Sequence, residues 1–281
     1  MNTPVRIVIA AMVGIVALAA FSLLLPDLRG QGNKTASKTS APSDQIATHS
    51  EDANNPPSVP APKPKVALIY NGQFADRQSA QRISTLALQS GFEPVYFSDL
   101  KQLEEHIDDA GLLAFGGTVD DIGPLINSFT PESISAIRHF IQEGGRYLGI
   151  CGGAYLASAG WQEEGGFTRA LGLAPLTTAN FASDALPRIM TVNWKGTPRS
   201  VYYQLGPNFT LPESEDAHVL ARYSDHSIAA LMLKSGRGTI YLVGPHPEAE
   251  ETWLEEDMEG LSNWSNTDDL ARDMMQDVTG F

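Results

Sequence analysis

Three regimes of apolar patterning divide the chain. Ile7 to Leu25, IVIAAMVGIVALAAFSLLL, is uninterrupted by charge; Gly30 to Pro64 has almost no large apolar residue; from Lys65 onward short apolar runs alternate with stretches of helical spacing. KVALIY, Lys65 to Tyr70, follows a proline-rich breaker and ends at Asn71-Gly72, which predicts a buried first strand. In SAQRISTLALQS, Ser79 to Ser90, the residues Ile83, Leu86 and Ala87 recur at helical spacing, and Gly91 offers a C-terminal stop. Pro94 to Phe97 predicts a strand, Leu100 to Ile107 a helix, and Gly111 to Phe115 a third strand that breaks at Gly116-Gly117. Thr130-Pro131 opens the next helix with an N-cap and a first-turn proline, and Ile134, Ile137, Phe140 and Ile141 share one face. Arg146 to Ile150 is then the fourth strand.

Strand alternating with helix implies a mostly parallel sheet with helices on both faces. From about Arg188 the pattern changes to strands with short turns: RIMTVNW, SVYYQL, HVLARYS, IAALMLK and GTIYLVG. This predicts an antiparallel extension of the same sheet, with GTIYLVG returning to the core and an acidic helical region from about Ala249.

As a helix, Ile7 to Leu25 would span about 29 Å, enough to cross a bilayer. Two readings are open. An uncleaved anchor is favoured because Ala20 to Leu25 continues apolar; a cleavable signal would use Ile7 to Val16 as its core and Ala17-Leu18-Ala19 as its cleavage site. Residues 1–29 are therefore read as a transmembrane or signal helix, 30–64 as a disordered Ser/Thr/Pro-rich linker, and 65–281 as one α/β domain. The expected location is membrane-anchored through residues 7–25, with the domain in a bacterial periplasm or at the cell surface, or else secreted after cleavage.

Charge narrows the partners. Residues 65–281 hold 14 basic against 29 acidic side chains, which speaks against nucleic acid and anionic lipid surfaces. No His/Cys/carboxylate cluster has metal-ligand spacing, and there is neither a P-loop nor a G-x-G-x-x-G after a strand, so no metal and no cofactor is expected.

The only cysteine stands in YLGICGGAYLAS, Tyr147 to Ser158, where a strand runs out into glycines. A lone cysteine forms no intramolecular disulfide, and in an exported chain it suggests a reactive thiol or an intermolecular pair. A strand delivering one residue into a tight turn that opens a helix is a nucleophile elbow, whose strain demands small neighbours, here Gly149 and Gly153. The N–H of Gly152 would face an oxyanion, and Gly117 or Gly116 could supply a second donor from a neighbouring strand end. The bland alternative is a small buried hydrophobe. The sequence GTIYLVGPHPE, Gly238 to Glu248, tips the balance: after another strand end it offers His246 as base and Glu248 as the carboxylate that orients it.

These two motifs, in this order, resemble the class I glutamine amidotransferase-like superfamily and, within it, the biotin-protein ligase amino-terminal domain family. The resemblance runs from Lys65 to about Glu250 and implies a flavodoxin-like sheet and a catalytic triad of Cys151, His246 and Glu248. Weaker echoes are Tyr70-Asn71-Gly72, Tyr202-Tyr203 with Asn208-Phe209, and Ala221-Arg222-Tyr223; Asn71, Tyr155, Tyr203 and Asn208 become candidate substrate-binding residues. The chain departs from the family at Phe115-Gly116-Gly117-Thr118-Val119, where Pro-Gly-Gly-Arg-Asp is usual, at Gly152, where alanine is usual, and at Gln204-Leu205-Gly206, which interrupts a glycine-rich run.

The leading expectation is a membrane-tethered cysteine hydrolase acting on an amide or peptide bond of a small-molecule or peptide substrate. The alternative is a catalytically silent domain that binds a small ligand or protein partner. A redox-sensing Cys151 is a third reading, weakened by the absence of a resolving cysteine.

Overall fold

The computed structural model describes residues 65–119, 121–253 and 266–280. In chain order, β1 (Val66–Tyr70), α1 (Arg77–Gln89), β2 (Glu93–Phe97), α2 (Leu100–His106), β3 (Ala110–Phe115), α3 (Gly123–Ser128), α4 (Pro131–Gln142), β4 (Arg146–Ile150) and α5 (Gly152–Ala157) form the alternating part. Then come β5 (Gly160–Glu163), β6 (Gly166–Arg169), β7 (Thr177–Asn180), β8 (Arg188–Trp194), β9 (Thr197–Tyr203), β10 (Pro207–Thr210), β11 (His218–Arg222), β12 (Ile228–Ser235) and β13 (Gly238–Val243), followed by α6 (Asp268–Gly280).

The centre is a parallel sheet in the order β2-β1-β3-β4-β13. Because successive side chains on a strand point to opposite faces, each central strand feeds two cores. Ala67, Ile69, Leu112, Ala114, Leu148, Ile150, Tyr241 and Val243 pack beneath α1 and α6. Leu68, Tyr70, Leu113, Phe115, Tyr147, Ile240 and Leu242 pack with α2, α4 and α5 on the other side. The capping signals act as expected: Asp76 Oδ1 accepts the N–H groups of Gln78 and Ser79 at the start of α1, and Thr130 with Ser133 forms a capping box on α4. Each such cap contributes about 1 kcal/mol.

β13 pairs antiparallel with β12, and from there the sheet continues through β10, β7, β5 and β6, with β11, β8 and β9 branching off β12. The predicted antiparallel extension is present, but it starts earlier than Arg188, includes a parallel β5–β7 pair and holds most of the strands, so the sheet is mixed rather than mostly parallel. The segment from Gly160 to Asn180 forms β5, β6 and β7, four residues each and half exposed, so no apolar run marks them in the sequence. The strand expected as SVYYQL instead runs from Thr197 to Tyr203, pairing with β8 across the Lys195-Gly196 turn.

The expected N-terminal helix and linker, residues 1–64, lie outside the described residues, as do 254–265 in the acidic region. Among the described residues no helix is long and apolar enough to cross a membrane.

Candidate active site

Cys151 leaves β4 with φ +50° and ψ −106°, a backbone setting rare for a residue with a side chain. Its N–H is still held by the sheet, donating to Val243 O at 2.9 Å, while the next residue begins α5. The turn has no room around it. A Cβ on Gly149 would lie 2.5 Å from Gly153 O, and one on Gly153 would lie 2.0 Å from Phe115 O. The small neighbours are thus required by close backbone approach on both sides of the thiol.

The end of β13 brings the partners. Val243 is followed by Gly244-Pro245, and His246 N–H donates to Tyr202 O at 2.9 Å, pinning the loop against the end of β9. The imidazole Nδ1 lies 2.9 Å from Glu248 Oε1, and the ring interacts with Cys151, whose thiol donates to Gln204 O at 3.5 Å. His246 and Glu248 are buried, and the rings of Tyr202 and Trp253 stand edge-on to the imidazole at 5.6 and 5.5 Å. Burial by itself would push the imidazole down; the Glu248 charge, then the Cys151 charge and both hydrogen bonds outweigh it and hold His246 well above its ordinary value. The surroundings therefore favour a proton on this imidazole.

The glycine loop after β3 is used differently from the sequence expectation. Gly117 N–H donates to Ser79 Oγ at 3.0 Å, so it is not free to bind an oxyanion. Gly116 gives its carbonyl to Gly153 N–H and does not line the cleft. Thr118 follows with the opposite orientation. It bridges Ala75, and the flanking bonds, Asp76 N–H to Gly117 O at 2.9 Å and Val119 N–H to Phe74 O at 3.0 Å, show that Thr118's own N–H turns away from that segment. Gly152 N–H, at the first position of α5, has no carbonyl within the helix to bond. The Thr118 side chain fills the space over Gly152: a Cβ at 152 would meet Thr118 Oγ1 at 2.1 Å. Two departures noted in the sequence, threonine at 118 and glycine at 152, are one packing solution.

Together these residues border a cleft of about 550 Å³ lined also by Tyr155, Trp161, Asn180 and Gln204. Tyr155 reaches Asn180 Oδ1 and Leu205 O through its hydroxyl, and burial, followed by the Cys151 and Tyr203 charges, pushes its pKa up, so it enters the cleft as a neutral phenol. The other three substrate-binding candidates do not line this cleft. The Tyr203 hydroxyl accepts Ala182 N–H at 2.9 Å and donates to Gly206 O at 3.0 Å, facing the core. Asn208 stands in β10 opposite Ala179, which lines the cleft while Asn208 does not. Asn71 follows β1 with its N–H on Phe97 O, on the β2 side of the sheet.

Sequence reasoning missed Ser79, Thr118 and Trp253. Ser79 was visible as a polar residue one turn before Ile83 on the apolar face of α1. Thr118 was noted only as a departure, and Trp253 lies in an acidic run that reads as solvated surface. Among the described residues no cluster of His, Cys, Asp or Glu could hold a metal ion.

The comparisons agree with this architecture. The chain is 28% identical over 211 residues to a biotin–protein ligase of Schizosaccharomyces pombe, covering 64% of this chain and 33% of that protein. The chain thus spans about a third of its curated relative. Among solved structures, a glutamine amidotransferase superposes with a TM-score of 0.51 at 18% identity, covering 67% of this chain and 97% of the other. Another, from Thermotoga maritima, gives a TM-score of 0.52 at 12% identity, covering 76% and 96%. The membrane-anchored, extracytoplasmic location expected from the first residues is corrected: no spanning helix occurs among the described residues, Ile7 to Leu25 lies outside them, and the relative is a biotin–protein ligase. Residues 65–169 match the family described as biotin-protein ligase, N terminal, and the domain around them has the fold of the class I glutamine amidotransferases.

Proposed function

We propose that the cleft hydrolyses an amide or peptide bond through Cys151. The observation that carries this reading is His246, whose Nδ1 lies 2.9 Å from a buried carboxylate while its ring interacts with the strained Cys151. In the first half-reaction Cys151 Sγ attacks the carbonyl carbon while the thiol proton resides on His246 Nε2. The oxyanion is met by the N–H groups of Gly152 and Thr118. Collapse breaks the C–N bond, His246 gives its proton to the leaving nitrogen, and a thioester on Cys151 remains. In the second half-reaction His246 takes a proton from water as that water attacks the thioester, and the proton returns to the departing sulfur. Glu248 holds the imidazole in the tautomer and orientation that both steps need.

The likeness to a biotin–protein ligase covers only a third of that protein, so it supports the domain's fold rather than ligation. The test is iodoacetamide labelling at neutral pH together with hydrolysis of an amide and peptide library. Wild type should label at Cys151 and hydrolyse at least one member, and turnover should fall at least about 10⁴-fold in Cys151→Ala. A library member bound but never cleaved would replace this reading with a binding domain. Hydrolysis that persists in Cys151→Ala would end it.

A further inference from the structure

We infer that Ser79 is a positioning residue of this site, its hydroxyl tying the partner of the base to the loop beside the oxyanion position. The inference rests on the reading above, in which Glu248 orients His246.

Ser79 lies at the third position of α1 and is fully buried. The helix otherwise turns Ile83, Leu86 and Ala87 to the core on this side. A buried hydroxyl is costly unless its hydrogen bonds are made. Both of these are made, and both go to the site: Ser79 Oγ accepts Gly117 N–H at 3.0 Å and donates to Glu248 Oε1 at 2.7 Å. Gly116 makes the approach possible, since a Cβ there would lie 2.4 Å from Ser79 Oγ.

The carboxylate depends on this contact more than usual. Oε1 receives both Ser79 and His246 Nδ1, whereas Oε2 is buried without a hydrogen-bond partner among the described residues. One oxygen therefore carries the directional contacts that hold Glu248, and Ser79 supplies one of the two. Without the hydroxyl, the carboxylate retains only the imidazole it is meant to orient, and Gly117 loses the acceptor that fixes the turn leading into Thr118. Base and oxyanion donors are joined through a single side chain.

The test reads the rate of Cys151 alkylation by iodoacetamide against pH, which needs no turnover. A displaced Glu248 leaves the imidazole beside the thiol less able to hold the thiol's proton, so alkylation needs a higher pH. In Ser79→Ala the half-maximal pH should rise by about one unit, slowing alkylation below the midpoint about tenfold. Ser79→Thr, which keeps the hydroxyl, should retain the wild-type profile. In a Glu248→Gln background Ser79→Ala should add no further shift, because the effect travels through Glu248. An unchanged profile in Ser79→Ala, or an equal added shift in Glu248→Gln, would overturn the inference. Should Ser79→Ala not fold, Ser79→Cys carries the test through its weaker donor, and a wild-type profile there is equally fatal. The Ser79 shift in a protein that hydrolyses nothing retires the hydrolase and keeps Ser79; hydrolysis with an unshifted profile does the reverse.

Discussion

The two walls of the cleft are built on different principles. On the parallel side, the elbow at Cys151 is fixed by main chain against main chain, with Gly149 and Gly153 too close to Gly153 O and Phe115 O to admit a methyl group. On the antiparallel side, Asn180, Tyr202 and Gln204 carry side-chain hydrogen bonds: Asn180 Oδ1 accepts the hydroxyl of Tyr155 from α5 across the cleft, Tyr202 Oη donates to Gln204 Oε1 at 3.1 Å, and Gln204 Nε2 donates to Ala185 O at 3.1 Å. A wall held by backbone contact has one geometry and fails when that geometry is denied. A wall held by side chains can exchange residues while the strands stay in place. Cys151 sits on the first kind and Asn180, Tyr202 and Gln204 on the second, so under the proposed hydrolase chemistry and specificity would be separately mutable.

The sharpest way to break this contrast is Gly153→Ala. Its Cβ would lie 2.0 Å from Phe115 O, so β3 and α5 must separate, and unfolding by denaturant should show a loss of about 3 kcal/mol or more. A loss below about 1 kcal/mol would mean that the elbow yields as easily as the opposite wall.

Next in size is the pH dependence of stability. His246 is held protonated in the fold more firmly than in the unfolded chain, against burial, by Glu248 and Cys151. The stability this supplies is complete below about pH 6.5 and is lost as pH rises through the raised folded value, with a limiting slope of about 1.4 kcal/mol per pH unit. Thermal melts of wild type should therefore fall on the alkaline side, and those of His246→Asn should be flatter there. Parallel curves would remove the charged pair from the account.

Cys151→Gly sharpens the comparison from the other direction. The positive φ of Cys151 strains any residue with a Cβ, so glycine should raise stability by about 1 kcal/mol while eliminating alkylation. The smallest change is expected on the antiparallel wall. Asn180→Ala removes the acceptor of the Tyr155 hydroxyl and should cost about 0.5–1 kcal/mol, raising KM a few-fold with kcat nearly intact.

The sequence displayed what depends on local order along the chain. Strand, helix and glycine punctuation located the parallel strands, and the glycines around Cys151 and the residues after Gly244 mark strand ends that the topology brings together on adjacent strands β4 and β13. What it concealed depends on parity and on long-range contact. Tyr202 and Tyr203 are neighbours in β9, yet successive residues face opposite sides, so choosing Tyr203 placed the aromatic contact in the core when Tyr202 is the one beside His246. Gly117 looked like a free donor because nothing local reveals Ser79 Oγ, 38 positions earlier, waiting for its N–H. Strands β5 to β7 left no trace because four half-exposed residues carry too few apolar side chains to show a period.

The interlock of Thr118 with Gly152 has a consequence for how such a sequence can change over time. Alanine at 152 is blocked while threonine stands at 118, because the new methyl group would fall 2.1 Å from Thr118 Oγ1. Thr118→Gly opens the space first and leaves a gap that alanine can then fill. One order of substitution passes through a loosely packed intermediate and the other through a steric collision, so the two positions are epistatic and their history is directional. A pair of variants, Gly152→Ala alone and Gly152→Ala with Thr118→Gly, would expose that direction as a defect in the single variant that the double one repairs.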